Sequence, residues 1–229
     1  MSADDSLAGQ VVLVTGAAGG IGQAIVAAIE QAGGQAVGFD LDQGDVGNDD
    51  DVRNAVEQTF DQHGRLDCIV HAAGITRDQV LWKLSPEDWD QVLQVNLRSA
   101  FLLLRHGVPV MRRAGAGRFV LIGSINGSRG KFGQTAYAAS KAGLIGLARS
   151  AARETGRFGI RVNVVEPGMV RTPMTATLPE PVITAAMEET LLGRLAEPED
   201  IAASVLFLCG PGSAHITGQV IRVDGGQYL

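Results

Sequence analysis

The chain has 229 residues, 45% of them hydrophobic, with 30 glycines, 8 prolines, few aromatics and a net charge of −6. That length can bury one substantial core and suits a single domain over 1–229, and the composition excludes a disordered or disulfide-stapled protein. An acidic chain lacks the basic footprint that nucleic-acid binding needs, no apolar run reaches the roughly 18 residues that cross a bilayer, and Cys68 and Cys209 sit in apolar stretches and read as reduced core residues.

In chain order, Met1 to Gln10 is polar and acidic, without the basic start and apolar stretch of an export signal, so a cytoplasmic location is expected. Val11 to Val14 is a short apolar run that ends in a glycine turn, after which Ile21, Ile25 and Ile29 recur at helical spacing as far as Gly33-Gly34. Ala36 to Phe39 predicts a second strand, Val52, Val56 and Phe60 a helix, and Asp67 to Ala72 a third clear strand. Trp89, Val92, Leu93 and Leu97 begin a long helix. Phe119 to Gly123 reads as a strand, the segment around Tyr137 as a helix running to about Thr155, and Arg161 to Glu166 as the next strand. Pro198 opens a helix where its missing N–H costs nothing, Ile201, Val205 and Leu208 give that helix an apolar face, and Gln219 to Val223 closes the sheet. Met169 to Leu195, with Pro173, Pro179 and Pro181, has no regular period; it predicts a lid with a short helix near Pro181 to Leu191. Strands alternating with helices require parallel pairing and right-handed crossovers. The expected fold is therefore α/β, a single-domain, doubly wound, Rossmann-type parallel sheet with helices on both faces.

The turn Thr15-Gly16-Ala17-Ala18-Gly19-Gly20-Ile21-Gly22 follows a predicted strand and opens a predicted helix, a context in which backbone N–H groups and the helix dipole hold a pyrophosphate. Gly16 permits the tight turn, Gly20 lets backbone approach a phosphate, and Gly22 lets helix pack on strand; Gly19 and Ile21 complete the set. Asp40, about 20 residues on at the end of the second strand, can accept from both ribose hydroxyls of NAD and would repel the 2′-phosphate of NADP. Asp42 competes for the same role less well. Asp45 and Val46 are candidate adenine contacts, and His71-Ala72-Ala73-Gly74 ends a strand at the carboxyl edge where the nucleotide would lie, with His71 read as structural. No His, Cys or carboxylate pattern has metal-ligand spacing, so no catalytic metal is expected. Tyr137 and Lys141, four residues apart, share one helix face. At about 4 Å and an effective dielectric near 20, the ammonium is worth about 4 kcal/mol, enough to draw the phenol from about 10 toward neutrality.

With Asn96, Ser124, Tyr137, Lys141, the Thr15 to Gly22 turn and Pro167-Gly168 in order, the chain resembles the short-chain dehydrogenase/reductase family over essentially its full length. It is most similar to the 3-oxoacyl-thioester reductase branch, through Ala73-Gly74-Ile75-Thr76-Arg77-Asp78, Gly193-Arg194 with Pro198-Glu199-Asp200-Ile201-Ala202, and Ile216-Thr217-Gly218 leading to Val223-Asp224-Gly225-Gly226. The resemblance implies that Tyr137 protonates the carbonyl oxygen, Ser124 polarises it, Lys141 binds the nicotinamide ribose and lowers the tyrosine's pKa, and Asn96 holds a water joining Lys141 to solvent. Pro167, Gly168, Val170 and Thr172 would seat the carboxamide. It also implies a homotetramer or homodimer, which fits the apolar surplus around Leu97 and Leu147. Two departures point to NADH over NADPH: Gly19 stands where NADPH-using members often carry a basic residue, and Asp40 ends the second strand. Only Leu41 to Gly44 separate Asp40 from Asp45, so the helix the family places there should be missing and its strand reduced or absent. His71 in place of the usual asparagine is a lesser departure.

The expected activity is NADH-preferring reduction of a 3-oxoacyl thioester of coenzyme A or acyl carrier protein, with Arg129, Lys131 and Arg171 placed to meet a carrier phosphate. The alternative is NAD-dependent oxidation of a secondary alcohol, sterol or cyclic diol; a remote third is a non-catalytic NAD-binding sensor or scaffold.

Overall fold

A computed structural model describes residues 6–229; the first five residues of the polar start lie outside the described residues. Six strands, β1 Val11–Thr15, β2 Gln35–Phe39, β3 Cys68–His71, β4 Gly117–Ile122, β5 Ile160–Pro167 and β6 Val220–Val223, form one sheet in the order β2-β1-β3-β4-β5-β6. All pairings are parallel, with Val12 of β1, for example, lying between Ala36 of β2 and Cys68 of β3. The helices are α1 Gly20–Gln31, α2 Asp49–His63, α3 Pro86–Leu93, α4 Ser99–Ala114, α5 Ile125–Arg129, α6 Thr135–Thr155, α7 Glu180–Glu189 and α8 Pro198–Cys209.

Both sheet faces are covered, and the strand residues alternate between two cores as a period of two requires. Leu13, Ile69, Phe119, Leu121, Val162 and Val164 meet α2, α4 and α6 on one face. Val12, Val14, Val70, Val120 and Val165 meet Ile25 and Ile29 of α1 and Ile201, Val205 and Leu208 of α8 on the other. Cys68 and Cys209 lie buried in this second core with their sulfurs 3.3 Å apart.

Residues 40–48 run from β2 to α2 with neither helix nor strand, as the shortened spacing predicts, and β2 is consequently the edge of the sheet. Asn48 then starts α2, its Oδ1 accepting from the Asp50 and Asp51 amides at 2.9 and 3.1 Å. The single long helix expected from Trp89 onward is two helices, because Gln94–Arg98 winds as a π turn between α3 and α4. The aperiodic 169–195 segment contains α7, where a short helix was expected, held by the Ala196 amide on the Met169 carbonyl and the Arg171 amide on the Ala196 carbonyl. No helix among the described residues is long and apolar enough to cross a membrane.

Candidate active site

The chain runs outward from β1 to β2 on one side and returns to build β3 on the other, so a crevice opens beyond the carboxyl ends of β1 and β3, where open α/β sheets bind ligands. The glycine turn lies there, and its geometry tests whether a dinucleotide fits. Gly16 has φ +67°, and a Cβ on it would stand 2.7 Å from the backbone of Ala73 at the end of β3. A Cβ on Gly22 would stand 2.0 Å from the Gly16 carbonyl oxygen, and one on Gly20 would press 3.1 Å from the Thr172 side chain. The turn is thus a bare backbone cradle at the start of α1, with Ala18 and Gly19 exposed, and it suits a pyrophosphate. Gly22→Ala should cost about 1–3 kcal/mol, because the Gly16 carbonyl cannot yield without opening the turn, and should weaken NADH binding in a fluorescence titration more than it lowers Tm.

Asp40 is drawn onto this cradle: its Oδ2 accepts from the Ala18 amide at 2.9 Å and its Oδ1 from the Leu41 amide at 2.9 Å. Asp45 is exposed, with its Oδ1 on the Gly47 amide at 2.7 Å, whereas the Val46 side chain is turned into the core. Val170 is likewise a core side chain, so Val46 and Val170 can face a ligand only through their main chain. Ala72 and Ala73 stand beside β1, the Ala72 amide on the Thr15 carbonyl at 3.2 Å and the Ala73 amide on Thr15 Oγ1 at 3.4 Å. Gly74 packs against Lys141 and Asn96, since a Cβ there would meet Lys141 Nζ at 3.3 Å and Asn96 Oδ1 at 3.4 Å. Pro167 ends β5, and Gly168 is pinned by its amide on the Val223 carbonyl at 3.2 Å.

Ser124, 7% exposed, leaves the end of β4 and caps α5, its Oγ accepting from the Asn126 amide at 3.1 Å. Tyr137 and Lys141 lie one turn apart on α6, with the ammonium 5.6 Å from the phenol ring centre. The ammonium is buried and donates to the Ile122 carbonyl at 2.7 Å. Here the expected pKa arrangement needs correction. Burial pushes the Tyr137 phenol up, Ser124 pulls it down, and the charge of Asp78 raises it further. Lys141 is the group brought toward neutrality, lowered by burial to about 8. The ammonium donates to the strand carbonyl and stands 5.6 Å from the phenol ring centre.

Asn96 is fully buried. Its Oδ1 accepts from the Ile75 amide at 2.8 Å, and its Nδ2 donates to the Ile75 carbonyl at 2.9 Å and to Ser140 Oγ at 3.0 Å. Ser140 Oγ in turn donates to the Tyr137 carbonyl at 2.7 Å. Both amide hydrogens of Asn96 are therefore engaged by protein groups, and the side chain clamps the Ile75 loop to α6. Ser140, Ile75 and the Ile122 carbonyl were not anticipated. Ser140 had a signal, a hydroxyl inside the Tyr-Ala-Ala-Ser-Lys turn, but the two backbone partners had none. Glu166 was also missed: it is fully buried before Pro167, accepts from Ser128 Oγ at 2.8 Å, and faces Arg222 Nε at 3.7 Å. Two of the three candidate carrier contacts are engaged elsewhere, Arg129 with Glu189 at 2.9 Å and Arg171 with Glu197 at 3.1 Å, while Lys131 is exposed. Among the described residues no three metal-ligating side chains are grouped.

A doubly wound parallel sheet with a glycine cradle at its reversal point, and with a hydroxyl, a phenol and a buried amine gathered at the same edge, defines a dinucleotide-dependent oxidoreductase. The family described as enoyl-(acyl carrier protein) reductase matches residues 37–227. The chain is 39% identical to a 3-oxoacyl-(acyl-carrier-protein) reductase of Thermotoga maritima, covering 97% of this chain and 99% of that one. It is 38% identical to a (3R)-3-hydroxyacyl-CoA dehydrogenase of Canis lupus familiaris, covering 96% of each. It is also 38% identical to an acetoacetyl-CoA reductase of an Acinetobacter strain, covering 96% of this chain and 98% of that one. The chain belongs to the short-chain dehydrogenase/reductase family and is an NAD(P)-dependent enzyme acting on CH–OH or C=O groups.

Proposed function

We propose that the enzyme is an NADH-preferring ketoreductase that converts 3-oxoacyl thioesters, carried by coenzyme A or acyl carrier protein, to 3-hydroxyacyl thioesters. The gathering of Ser124, Tyr137 and Lys141 at the edge that holds the glycine cradle supports this most directly, and the similarity to reductases of 3-oxoacyl and acetoacetyl thioesters supports the substrate class. Bound NADH supplies the hydride. Gly16, Gly19, Gly20, Ile21 and Gly22 hold its pyrophosphate, Asp40 its adenosine ribose, Asp45 and the Val46 main chain its adenine. Ala72 to Gly74, Pro167, Gly168, Val170 and Thr172 enclose the nicotinamide end, beside Tyr137 and Lys141.

Ser124 donates to the ketone oxygen and polarises it, a contribution of about 3 kcal/mol when the charge develops in a water-poor site. The Tyr137 phenol, held protonated by burial, gives its proton to that oxygen. Lys141 binds the nicotinamide ribose hydroxyls and, as an ammonium, stabilises the phenolate left behind; Asn96 keeps the Ile75 loop and α6 in register. Residues 169–195 act as a lid over the substrate.

This arrangement sets a pH dependence. Burial lowers Lys141 from 10.5 to about 8, so the folded chain loses that proton before the unfolded one does. Between these values stability rises with pH, while the reduction rate, which needs the ammonium, falls. The kcat/KM for ketone reduction is expected to decline about tenfold per pH unit above about 8, measured with saturating NADH.

Turnover of acetoacetyl-CoA with NADH, compared with oxidation of cyclic and secondary alcohols with NAD, tests the assignment; faster alcohol oxidation would overturn it. A second reading, oxidation of a 3-hydroxyacyl thioester, is favoured by Asp40, because a carboxylate selecting NAD suits a cell in which that cofactor is mostly oxidised. We also infer that a second copy covers the apolar groove of about 840 Å³ lined by Leu93, Leu97, Phe101 and Leu147. Phe101 is 46% exposed there, and the groove lies on the α4 and α6 flank, so it is not the substrate site. A dimer or tetramer in light scattering checks this.

A further inference from the structure

The π turn between α3 and α4 has an unusual support. The Ser99 amide donates to the Gln94 carbonyl, five residues back, whereas in an α-helix it would have satisfied Val95. The Ser99 hydroxyl takes over that carbonyl, donating to it at 2.5 Å. A hydroxyl has one proton. With that proton on Val95, the oxygen meets His71 Nε2, 2.5 Å away, as an acceptor. His71 therefore carries its hydrogen on Nε2, and Nδ1 is buried without a partner. Both side chains are fully buried, so no solvent molecule replaces either bond. Burial, with the Lys141 charge next in weight, lowers the imidazole to about 3 and keeps it neutral.

We propose that His71 is a positioning residue: its Nε2–H fixes the Ser99 hydroxyl on the Val95 carbonyl and thereby holds the π turn that aims Asn96 at Ile75 and Ser140, beside Lys141. The link to catalysis rests on the reading of Asn96, Tyr137 and Lys141 as the reaction centre. The turn inserts one residue, and one residue is about 100° of helix rotation. Relaxation to an α register would swing Asn96 off the Ile75 loop, taking its bond to Ser140 and the Tyr137 segment with it. The strand end at β3 thus sets the helix register that the site depends on, through a single imidazole N–H.

The test uses His71→Leu, His71→Gln and Ser99→Ala in the full chain, with two readouts: hydrogen exchange of the 94–99 amides without cofactor, and steady-state reduction of acetoacetyl-CoA. His71→Leu should speed exchange at the Ser99 amide at least about tenfold and lower kcat about thirtyfold while KM for NADH moves less than about threefold. His71→Gln, which retains a donor near Nε2, should recover both measures to within about threefold of wild type. Ser99→Ala should reproduce His71→Leu, and the double variant should be no worse than either, since both remove one chain of bonds. Unchanged exchange and kcat in His71→Leu, equal loss in the Leu and Gln variants, or additive losses would overturn the proposal. If His71→Leu does not fold, Ser99→Ala, which removes a single oxygen, decides on the same readouts. Should the wild type reduce no ketone while exchange responds as stated, the clamp stands and the assigned reaction falls.

Discussion

Replacing Tyr137 with phenylalanine is expected to lower kcat for ketone reduction about a thousandfold while leaving NADH affinity within about threefold, read by pre-steady-state and binding measurements. The size follows from what the hydroxyl does. In the proposed reaction it is the proton donor to an oxygen that would otherwise become an alkoxide, and a thousandfold corresponds to about 4 kcal/mol of transition-state stabilisation. Ser124→Ala should cost about a hundredfold for the loss of one polarising donor. Since phenol and hydroxyl act on one oxygen, the double variant should fall well short of the product of the two losses. Tm in Tyr137→Phe should hold within a few degrees: the ring and its α6 setting are retained, and the phenolic oxygen has only Ser124 as a hydrogen-bonding influence. Wild-type turnover in this variant would remove Tyr137 from the chemistry and pass the proton to another donor, for which the buried Lys141 ammonium is the candidate.

The sheet was legible because both of its faces are buried: runs such as Val11 to Val14 and Cys68 to Val70 have no alternative to a central strand. Their ends moved by a residue or two, as at Gly117 and Ile160, where pairing with the neighbour rather than side-chain type sets the limit. The glycine turn was legible because steric demand at Gly16 and Gly22 leaves no room for another residue, and Asp40 because its distance from the turn is fixed by one helix and one strand. The π turn was not. Val92, Leu93 and Leu97 fit one continuous helix, and the register change falls where the Ser99 hydroxyl meets His71, distant in sequence. The electrostatics of Tyr137 and Lys141 were misread for a related reason. Spacing four residues apart gives a shared face, but the direction of the amine is set by the Ile122 carbonyl at the end of β4, and a backbone acceptor leaves no mark in a sequence.

Cofactor choice should show an effect nearly as large. The wild type is expected to use NADH over NADPH by about a hundredfold or more in kcat/KM, because an adenosine 2′-phosphate would meet the Asp40 carboxylate at close range, where like charges cost several kcal/mol at an effective dielectric near 20. Asp40 is not free to swing away, since the Ala18 and Leu41 amides each hold one of its oxygens. Asp40→Asn removes the charge and keeps one acceptor, so it should raise NADPH use about tenfold while costing NADH less. Gly19 offers the complementary change. It caps α1 at φ −75°, an ordinary value for any residue, and a Cβ there would meet only the Gly16 carbonyl, at 3.3 Å. Gly19→Arg is therefore tolerable in the fold and would extend a guanidinium toward the 2′ position from the exposed side of the turn. Combined with Asp40→Asn it should invert the preference. On the proposed cofactor placement the carboxylate and the glycine would face the same ribose, so their effects should couple: the arginine alone would pair with Asp40 and gain little, and the inversion should appear only when both positions change. An Asp40→Asn, Gly19→Arg variant that still preferred NADH would mean that selection operates elsewhere, with the 40–48 segment that replaces the missing helix and strand as the place to look.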